Sequence, residues 1–323
     1  MRNIYIGVMS GTSRDNLDGC LVEFSENFQV HETFTLPFSK TYKTSKDEDF
    51  ISKEISQKTI SLVKKIINAS PIRKDAIQGI AFSGQTISHT NEYSLQAGDP
   101  QVISEKLSMQ VISDFRNEDI RRGGIGAPLI PEFHNYIFGE AKKRKLILNI
   151  GGIANGTYLV DKNVNLASDL GPGNCLMDLF VIKNNLGVYD SKGALASKGV
   201  LNKKLYKELS KPLEKLTYPR ADDIKVYTNI LRDLDLLGIT VEDTLRTLAE
   251  LTVDQIIKFF ELCDRPNEIF VHGGGAKNDF LMKLLESKTN RHIQLTSKYV
   301  SIEYMEAAAF AYLAFCKKGV IFK

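Results

Sequence analysis

The chain has 323 residues, 43% of them hydrophobic and 25% charged, with a net charge of +3. That length exceeds what one compact core usually serves, so an ordinary globular protein of two domains is expected. The weak basic balance argues against nucleic acid as a partner, no run reaches the roughly 18 apolar residues of a membrane span, and four scattered cysteines fit a reducing cytoplasm better than a zinc or disulfide framework. No secretory signal is expected either, because the apolar start breaks at Ser10-Gly11.

In chain order, apolar strands are expected at 3–7, 20–24 and 30–36. A helix follows over 47–69, where Phe50, Ile51, Ile55, Ile60, Val63, Ile66 and Ile67 recur near helical spacing and Pro71 marks the end. Strands at 76–82 and 110–113 complete the first half. The second half opens in the same way, with a strand at 146–150, the Gly151-Gly152 turn, a return strand at 157–160 and a third strand at 164–167. Helices at 174–185, 221–236 and 241–262 come next. A strand at 268–272 then runs into Gly273-Gly274-Gly275, with a helix starting near Asn278. Strand–glycine turn–strand thus heads each half. The pattern predicts an α/β protein of two related lobes, 1–140 and 141–323, with a ligand cleft between them and the last helix packing back on the first lobe.

The stretch Gly7-Val-Met-Ser-Gly-Thr-Ser-Arg-Asp-Asn-Leu-Asp18 brings small residues, hydroxyls and backbone N–H groups into one tight turn between strands. Such a nest attracts phosphate, and Asp15 and Asp18 are carboxylates of the kind a hydrated magnesium ion takes. For Ser-Gly-Thr alone, an ordinary polar hairpin is the plainer reading. Neither a P-loop, a dinucleotide fingerprint nor a Gly-x-Ser-x-Gly elbow is present. Glycine turns after apolar strands recur at Gly11, Gly84, Gly123–Gly126, Gly151-Gly152, Gly171–Gly173 and Gly273–Gly275, which predicts loops gathered at sheet edges where α/β proteins bind ligands. Asp99, Asp114, Asp119 and Asp190 read singly as turn or cap residues. Asp169 stands out, closing the third strand of the second half just before Gly171-Pro-Gly-Asn174.

The opening motif resembles that of the anhydro-N-acetylmuramic acid kinase family. Matching blocks follow in order: Gly84-Gln-Thr86, Gly98-Asp-Pro100, Asp114-Phe-Arg-x-x-Asp-Ile120, the run from Gly123 to His134, Asn149-Ile-Gly-Gly-Ile-Ala-Asn155, and Asp169-x-Gly-Pro-Gly-Asn-x-Leu-Met-Asp178. Near the end come Leu248-x-Glu-Leu-Thr252, Gly273-Gly-Gly-Ala-x-Asn278 and Glu306-Ala-x-Ala-Phe310. The resemblance implies the two-lobed fold of the actin-like ATPase and sugar kinase superfamily. It also implies a reaction in which ATP, magnesium and water open 1,6-anhydro-N-acetylmuramic acid and leave phosphate on O6, in peptidoglycan recycling.

By that resemblance Asp169 is the general base. ATP and its phosphates fall to Gly11, Thr12, Ser13, Arg14, Asp15, Asn16, Leu17 and Asp18, together with Gly151, Gly152, Gly273, Gly274, Gly275 and Asn278. Gln85, Arg116, His134 and Glu306 fall to the sugar, and Asp15 and Asp18 to magnesium, through water. A homodimer is implied as well. Three positions and one segment depart from the family pattern: Ser83 replaces a histidine, Asn16 a glycine, and Glu303 an aspartate. At 212–223 the chain reads Pro-Leu-Glu-Lys-Leu-Thr-Tyr-Pro-Arg-Ala-Asp-Asp where a Lys-Ser-Thr-Gly-Arg-Glu segment is usual. A kinase for another anhydro sugar, or a silent sugar- or nucleotide-binding paralogue, are the competing readings.

Overall fold

A computed structural model describes residues 3–11, 14–25, 28–232, 236 and 238–323. The chain divides into two compact units, Met1–Phe133 with Glu303–Lys323, and His134–Ile302. The division falls at 133/134 rather than 140/141, within the helix Pro131–Phe138.

The first unit is built on a six-stranded sheet. Its opening strands β1 (Asn3–Ser10), β2 (Asn16–Phe24) and β3 (Gln29–Pro37) form an antiparallel meander. Strand β4 (Ile77–Phe82) lies parallel to β1 on the other side. A small hairpin of β5 (Gln85–His89) and β6 (Ser94–Ala97) follows, and β7 (Val111–Ser113) then pairs parallel with β4. The C-terminal strand Val320–Phe322 closes the edge against β7.

Alternation along β1 decides what each face meets. Ile4, Ile6 and Val8 join the core under the helix Glu48–Ala69, which buries Ile51, Ile55, Leu62, Val63 and Ile66. Asp47 caps that helix, its carboxylate accepting from the N–H of Phe50 at 3.1 Å. Tyr5, Gly7 and Met9 face the other way, where the helix Met305–Phe315 packs.

The second unit carries a five-stranded sheet. β8 (Arg144–Ile150), β9 (Ile153–Val160) and β10 (Asn163–Pro172) again form an antiparallel meander, and β11 (Glu268–His272) and β12 (Ile293–Leu295) add in parallel beyond β8. Each sheet therefore runs third, second, first, fourth, fifth strand, which is the duplication expected from the repeated strand–turn–strand. The helix Val241–Leu262 packs on β9 and β10 through Leu245, Leu248, Leu251, Ile256 and Phe259.

Strand direction then places the glycine turns. In the first sheet the ends of the parallel strands β1, β4 and β7 lead into Gly11, Ser83-Gly84 and Asp114 at one edge. In the second, β8 and β11 end at the same edge, where β9 starts and β10 finishes. Gly151-Gly152, Gly171–Gly173 and Gly273–Gly275 therefore meet there, as the sequence pattern predicts.

Candidate functional site

In the first unit the phosphate-type turn is shorter than expected. Gly7 to Ser10 belong to β1 and Asn16 to Asp18 to β2, which leaves Gly11, Arg14 and Asp15 as the described residues between the strands. The N–H of Arg14, a residue at a φ of 54°, donates to the Gly11 carbonyl at 3.1 Å and closes the turn. Thr12 and Ser13 lie outside the described residues. Leu17, which the resemblance assigns to the phosphate stretch, is fully buried and paired within the sheet. Asn16 and Asp15 are exposed; Asp15 pairs with Lys43 at 2.6 Å. Asp18 accepts from the Thr35 hydroxyl at 2.5 Å, and that hydroxyl lies 3.0 Å from the Tyr304 phenol. Glu306 follows two residues on, in the first turn of the helix Met305–Phe315.

Gln85 is completely buried, and its amide serves the turn. Its Oε1 accepts from Ser10 Oγ at 2.7 Å and from the Tyr42 phenol at 3.4 Å, while Nε2 donates to the Gly11 carbonyl at 3.3 Å. Both ends of the side chain that the family resemblance assigns to the sugar therefore bond at the strand–turn junction. Ser83 stands at the end of β4, its N–H on the Val8 carbonyl at 3.1 Å and its hydroxyl on the Gly84 carbonyl at 2.9 Å.

Arg116 and Asp119, on the helix Phe115–Arg121, hold the glycine-rich loop that follows. Arg116 Nη1 donates to the Gly126 carbonyl, and the Gly126 N–H to Asp119 Oδ2, each at 2.9 Å. A Cβ on Gly124 would sit 2.1 Å from that same carboxylate oxygen, so a larger residue there would push the Asp119 carboxylate off the Gly126 N–H. His89 lies beside this loop. Burial, and then the Arg116 charge, push its pKa below the usual imidazole range.

In the second unit the three glycine turns pack against one another. A Cβ on Gly173 would stand 2.2 Å from the Gly151 carbonyl oxygen, one on Gly273 2.3 Å from Asn149 Oδ1, and one on Gly275 2.3 Å from Ile150 Cγ2. The N–H groups of Asn174 and Cys175 donate to the carbonyls of Gly151 and Gly152 at 2.8 and 3.1 Å. Thr252 Oγ1 lies 2.7 and 2.8 Å from the carbonyls of Pro172 and Gly173, which accounts for the Leu248–Thr252 block. Gly274 and Gly151 are less crowded: a Cβ there would meet its nearest neighbours only at 3.8 and 3.5 Å, ordinary van der Waals contact. Asn278 caps the helix Asp279–Thr289, its Oδ1 accepting from the Leu281 N–H at 3.0 Å.

Asp169 lies near the end of β10, and a distant segment is laid along it. Its N–H donates to the Arg220 carbonyl at 3.0 Å, and its Oδ2 accepts from the Asp222 N–H at 2.8 Å. Arg220 Nε donates to Asp222 Oδ2 at 2.8 Å, an ion pair nine-tenths buried on both sides. Arg220 Nη2 also donates to the Leu170 carbonyl, and the Tyr227 hydroxyl to Asp222. Burial alone would lower the Arg220 pKa, but Asp222 outweighs it and the net shift is upward. The segment that departs from the family pattern is thus the one on Asp169. Sequence reading missed Arg220, Asp222 and Tyr227; the one available sign was an arginine shared with the family segment.

His134 is fully buried. Its Nδ1 lies 2.9 Å from Thr157 Oγ1, and its Nε2 lies 3.1 Å from Nε2 of His272, the residue before the Gly273 turn. Burial pushes the His272 pKa down to about 3, and burial and then His272 hold His134 well below its usual value. Both ring nitrogens of His134, the residue that the family resemblance assigns to the sugar, are thus engaged inside the second unit.

Two glycine-edged α/β units of matching strand order define the class. The component A of (R)-2-hydroxyglutaryl-CoA dehydratase from Acidaminococcus fermentans shares this fold at a TM-score of 0.54, with 10% identity over 98% of both chains. The activator of 2-hydroxyisocaproyl-CoA dehydratase from Clostridium difficile does so at 0.51, with 13% identity over 98% of this chain and 95% of that one. The fold is that of the actin-like ATPases and sugar kinases. Within that class the chain belongs to the anhydro-N-acetylmuramic acid kinase family, whose model matches residues 3–320. The anhydro-N-acetylmuramic acid kinase of Haemophilus influenzae is 33% identical, covering 97% of this chain and 91% of its own length. That of Shewanella oneidensis is 35% identical, covering 96% and 90%. Among the described residues no helix is long and apolar enough to cross a membrane.

Proposed function

We propose that the protein is an ATP-dependent kinase that opens 1,6-anhydro-N-acetylmuramic acid with water and phosphorylates O6, giving N-acetylmuramic acid 6-phosphate in cell-wall recycling. The observation that carries this reading is the family match over residues 3–320, joined to an aspartate held at the glycine-lined edge of the second sheet.

The chemistry needs a base and a phosphate cradle. Asp169 takes a proton from water as the water oxygen attacks the anomeric carbon. The C1–O6 bond breaks, and O6 attacks the γ-phosphorus of ATP, with ADP leaving. Phosphoryl transfer rests on positioning and charge neutralisation, which suits small residues and backbone N–H groups at Gly11–Asp15, Gly151-Gly152 and Gly273–Gly275. Close packing at Gly173, Gly273 and Gly275, against backbone at the first and side chains at the other two, crowds out Cβ atoms and supports a fixed shape for that edge. Arg116, with its fork of donors, suits the substrate carboxylate, and Glu306 suits its hydroxyls.

Among the described residues no cluster of three or more His, Cys, Asp or Glu side chains could cage a metal. That donor set fits magnesium carried largely by phosphates and water, with Asp18 the nearer fit and Asp15 already paired with Lys43. Bound there, magnesium would neutralise charge building on the phosphates.

The test is ADP release from ATP with magnesium and 1,6-anhydro-N-acetylmuramic acid, with Asp169→Asn as the control. Turnover that requires the sugar and collapses in the variant is expected. Sugar-independent ADP release, or no turnover with ATP still bound, would overturn the reading.

A further inference from the structure

The strap from Arg220 to Asp222 is hydrogen-bonded to three consecutive residues of β10. The Arg220 N–H donates to Ser168 Oγ at 3.0 Å, and the Arg220 carbonyl accepts from the Asp169 N–H at 3.0 Å. The Arg220 guanidinium reaches the Leu170 carbonyl, and the Asp222 N–H reaches Asp169 Oδ2 at 2.8 Å. Ser168 Oγ closes the arrangement by donating to the Asp169 carbonyl at 2.7 Å.

The strap itself is rigid. Arg220 and Asp222 pair across one intervening residue, the Tyr227 hydroxyl donates to the same Asp222 oxygen, and the Tyr218 ring lies 4.7 Å from the guanidinium carbon. A charge pair so deeply buried is costly unless geometry and further hydrogen bonds satisfy it. Nothing about the stability of β10 requires an ion pair there; an apolar contact would hold two segments together as well. What the pair fixes, and an apolar contact would not, is the direction of the Asp222 N–H.

We propose that Arg220, Asp222 and Tyr227 are positioning residues for Asp169, fixing its carboxylate through the Asp222 N–H so that one oxygen is a committed acceptor and the rotation of the group is set. This rests on the reading of Asp169 as the base. An N–H donor to a carboxylate favours its ionised form, the form in which a general base acts. Arginine is required because its planar fork serves Asp222 and the Leu170 carbonyl at once, which a lysine ammonium cannot do at the same two points.

Three variants separate the possibilities: Arg220→Lys, Tyr227→Phe, and Asp169→Asn as reference. The pH profile of kcat, the KM for ATP and the melting temperature are measured for each. Arg220→Lys is expected to lower kcat by about tenfold or more, to leave the ATP KM within about twofold, and to move the acidic limb of the profile upward by about half a pH unit. Tyr227→Phe, which removes one hydroxyl remote from Asp169, is expected to move the limb in the same direction by less. If Asp169→Asn is inactive while both variants keep the wild-type kcat and acidic limb, whatever their melting temperatures, the positioning role is overturned and the base assignment stands. Should Arg220→Lys not fold, the limb in Tyr227→Phe decides alone, and an unmoved limb overturns the proposal. An active Asp169→Asn variant would remove the base and the strap's role together.

Discussion

A Cβ placed on Gly7 would stand 1.9 Å from the carbonyl oxygen of Ala307. Strand β1 and the helix Met305–Phe315 are therefore in backbone contact, and the obstacle is a main-chain atom that no side-chain rotation clears. Gly7→Ala forces the helix off the sheet and is expected to cost about 2 kcal/mol or more, the scale of overpacking in a close-packed core. Urea unfolding checks it; an unchanged midpoint would show that the helix rides higher than described.

Gln85→Leu keeps the volume of a buried side chain but strips the partners of Ser10 Oγ and the Gly11 carbonyl. Leaving such groups unsatisfied costs about 1–3 kcal/mol. Because Gln85 holds the strand–turn junction, the ATP KM is expected to rise while the KM for the sugar changes little. A variant whose sugar KM alone rises would return Gln85 to the sugar.

The His134–His272 pair gives a pH dependence of known sign. Both are buried with pKa values pushed below 6.5, His272 to about 3, so between those values the unfolded chain binds protons that the fold does not. Their contribution is intact above about pH 6.5 and is lost as pH falls below it, at up to about 1.4 kcal/mol per pH unit for each proton taken up on unfolding. Stability measured from pH 7.5 to 5 should fall, and His272→Gln should fall less steeply. Parallel slopes would mean that the pair titrates normally.

Ser83 occupies the position where the family pattern has histidine, and its side chain bonds only one residue away, to the Gly84 carbonyl. Ser83→His is expected to change kcat/KM for 1,6-anhydro-N-acetylmuramic acid by no more than about threefold, because the hydroxyl is a local turn contact. A much larger gain would mean that this chain prefers a different sugar.

Much of the fold was legible because its elements have a strong period. The helix Val241–Leu262 has the bounds its spacing predicts, and the two strand–turn–strand heads became two sheets of the same order. The helix Met305–Phe315 was harder: Met-Glu-Ala-Ala-Ala-Phe-Ala-Tyr-Leu-Ala-Phe is buried almost all round, so it has no polar face to give a helical period. The hairpin of β5 and β6 hid for the opposite reason, being short and polar. At the site, Asp169 and the glycine turns stood out through local spacing. Gln85 and His134 were read as sugar contacts, but their partners, Ser10 and His272, lie 75 and 138 residues away. The Arg220 strap is likewise invisible until residues about fifty apart are folded together.

The first unit is made from both ends of the chain. Its helix Met305–Phe315 and its edge strand Val320–Phe322 leave the ribosome after all of His134–Ile302. Although domains usually fold in order of synthesis, here the contiguous second unit is complete first. Until the final residues emerge, β1 lacks the cover over Tyr5, Gly7 and Met9, and β7 has an open edge. A chain ending near residue 302 would thus carry a finished second sheet and an unfinished first one, a sticky intermediate of the kind chaperones attend.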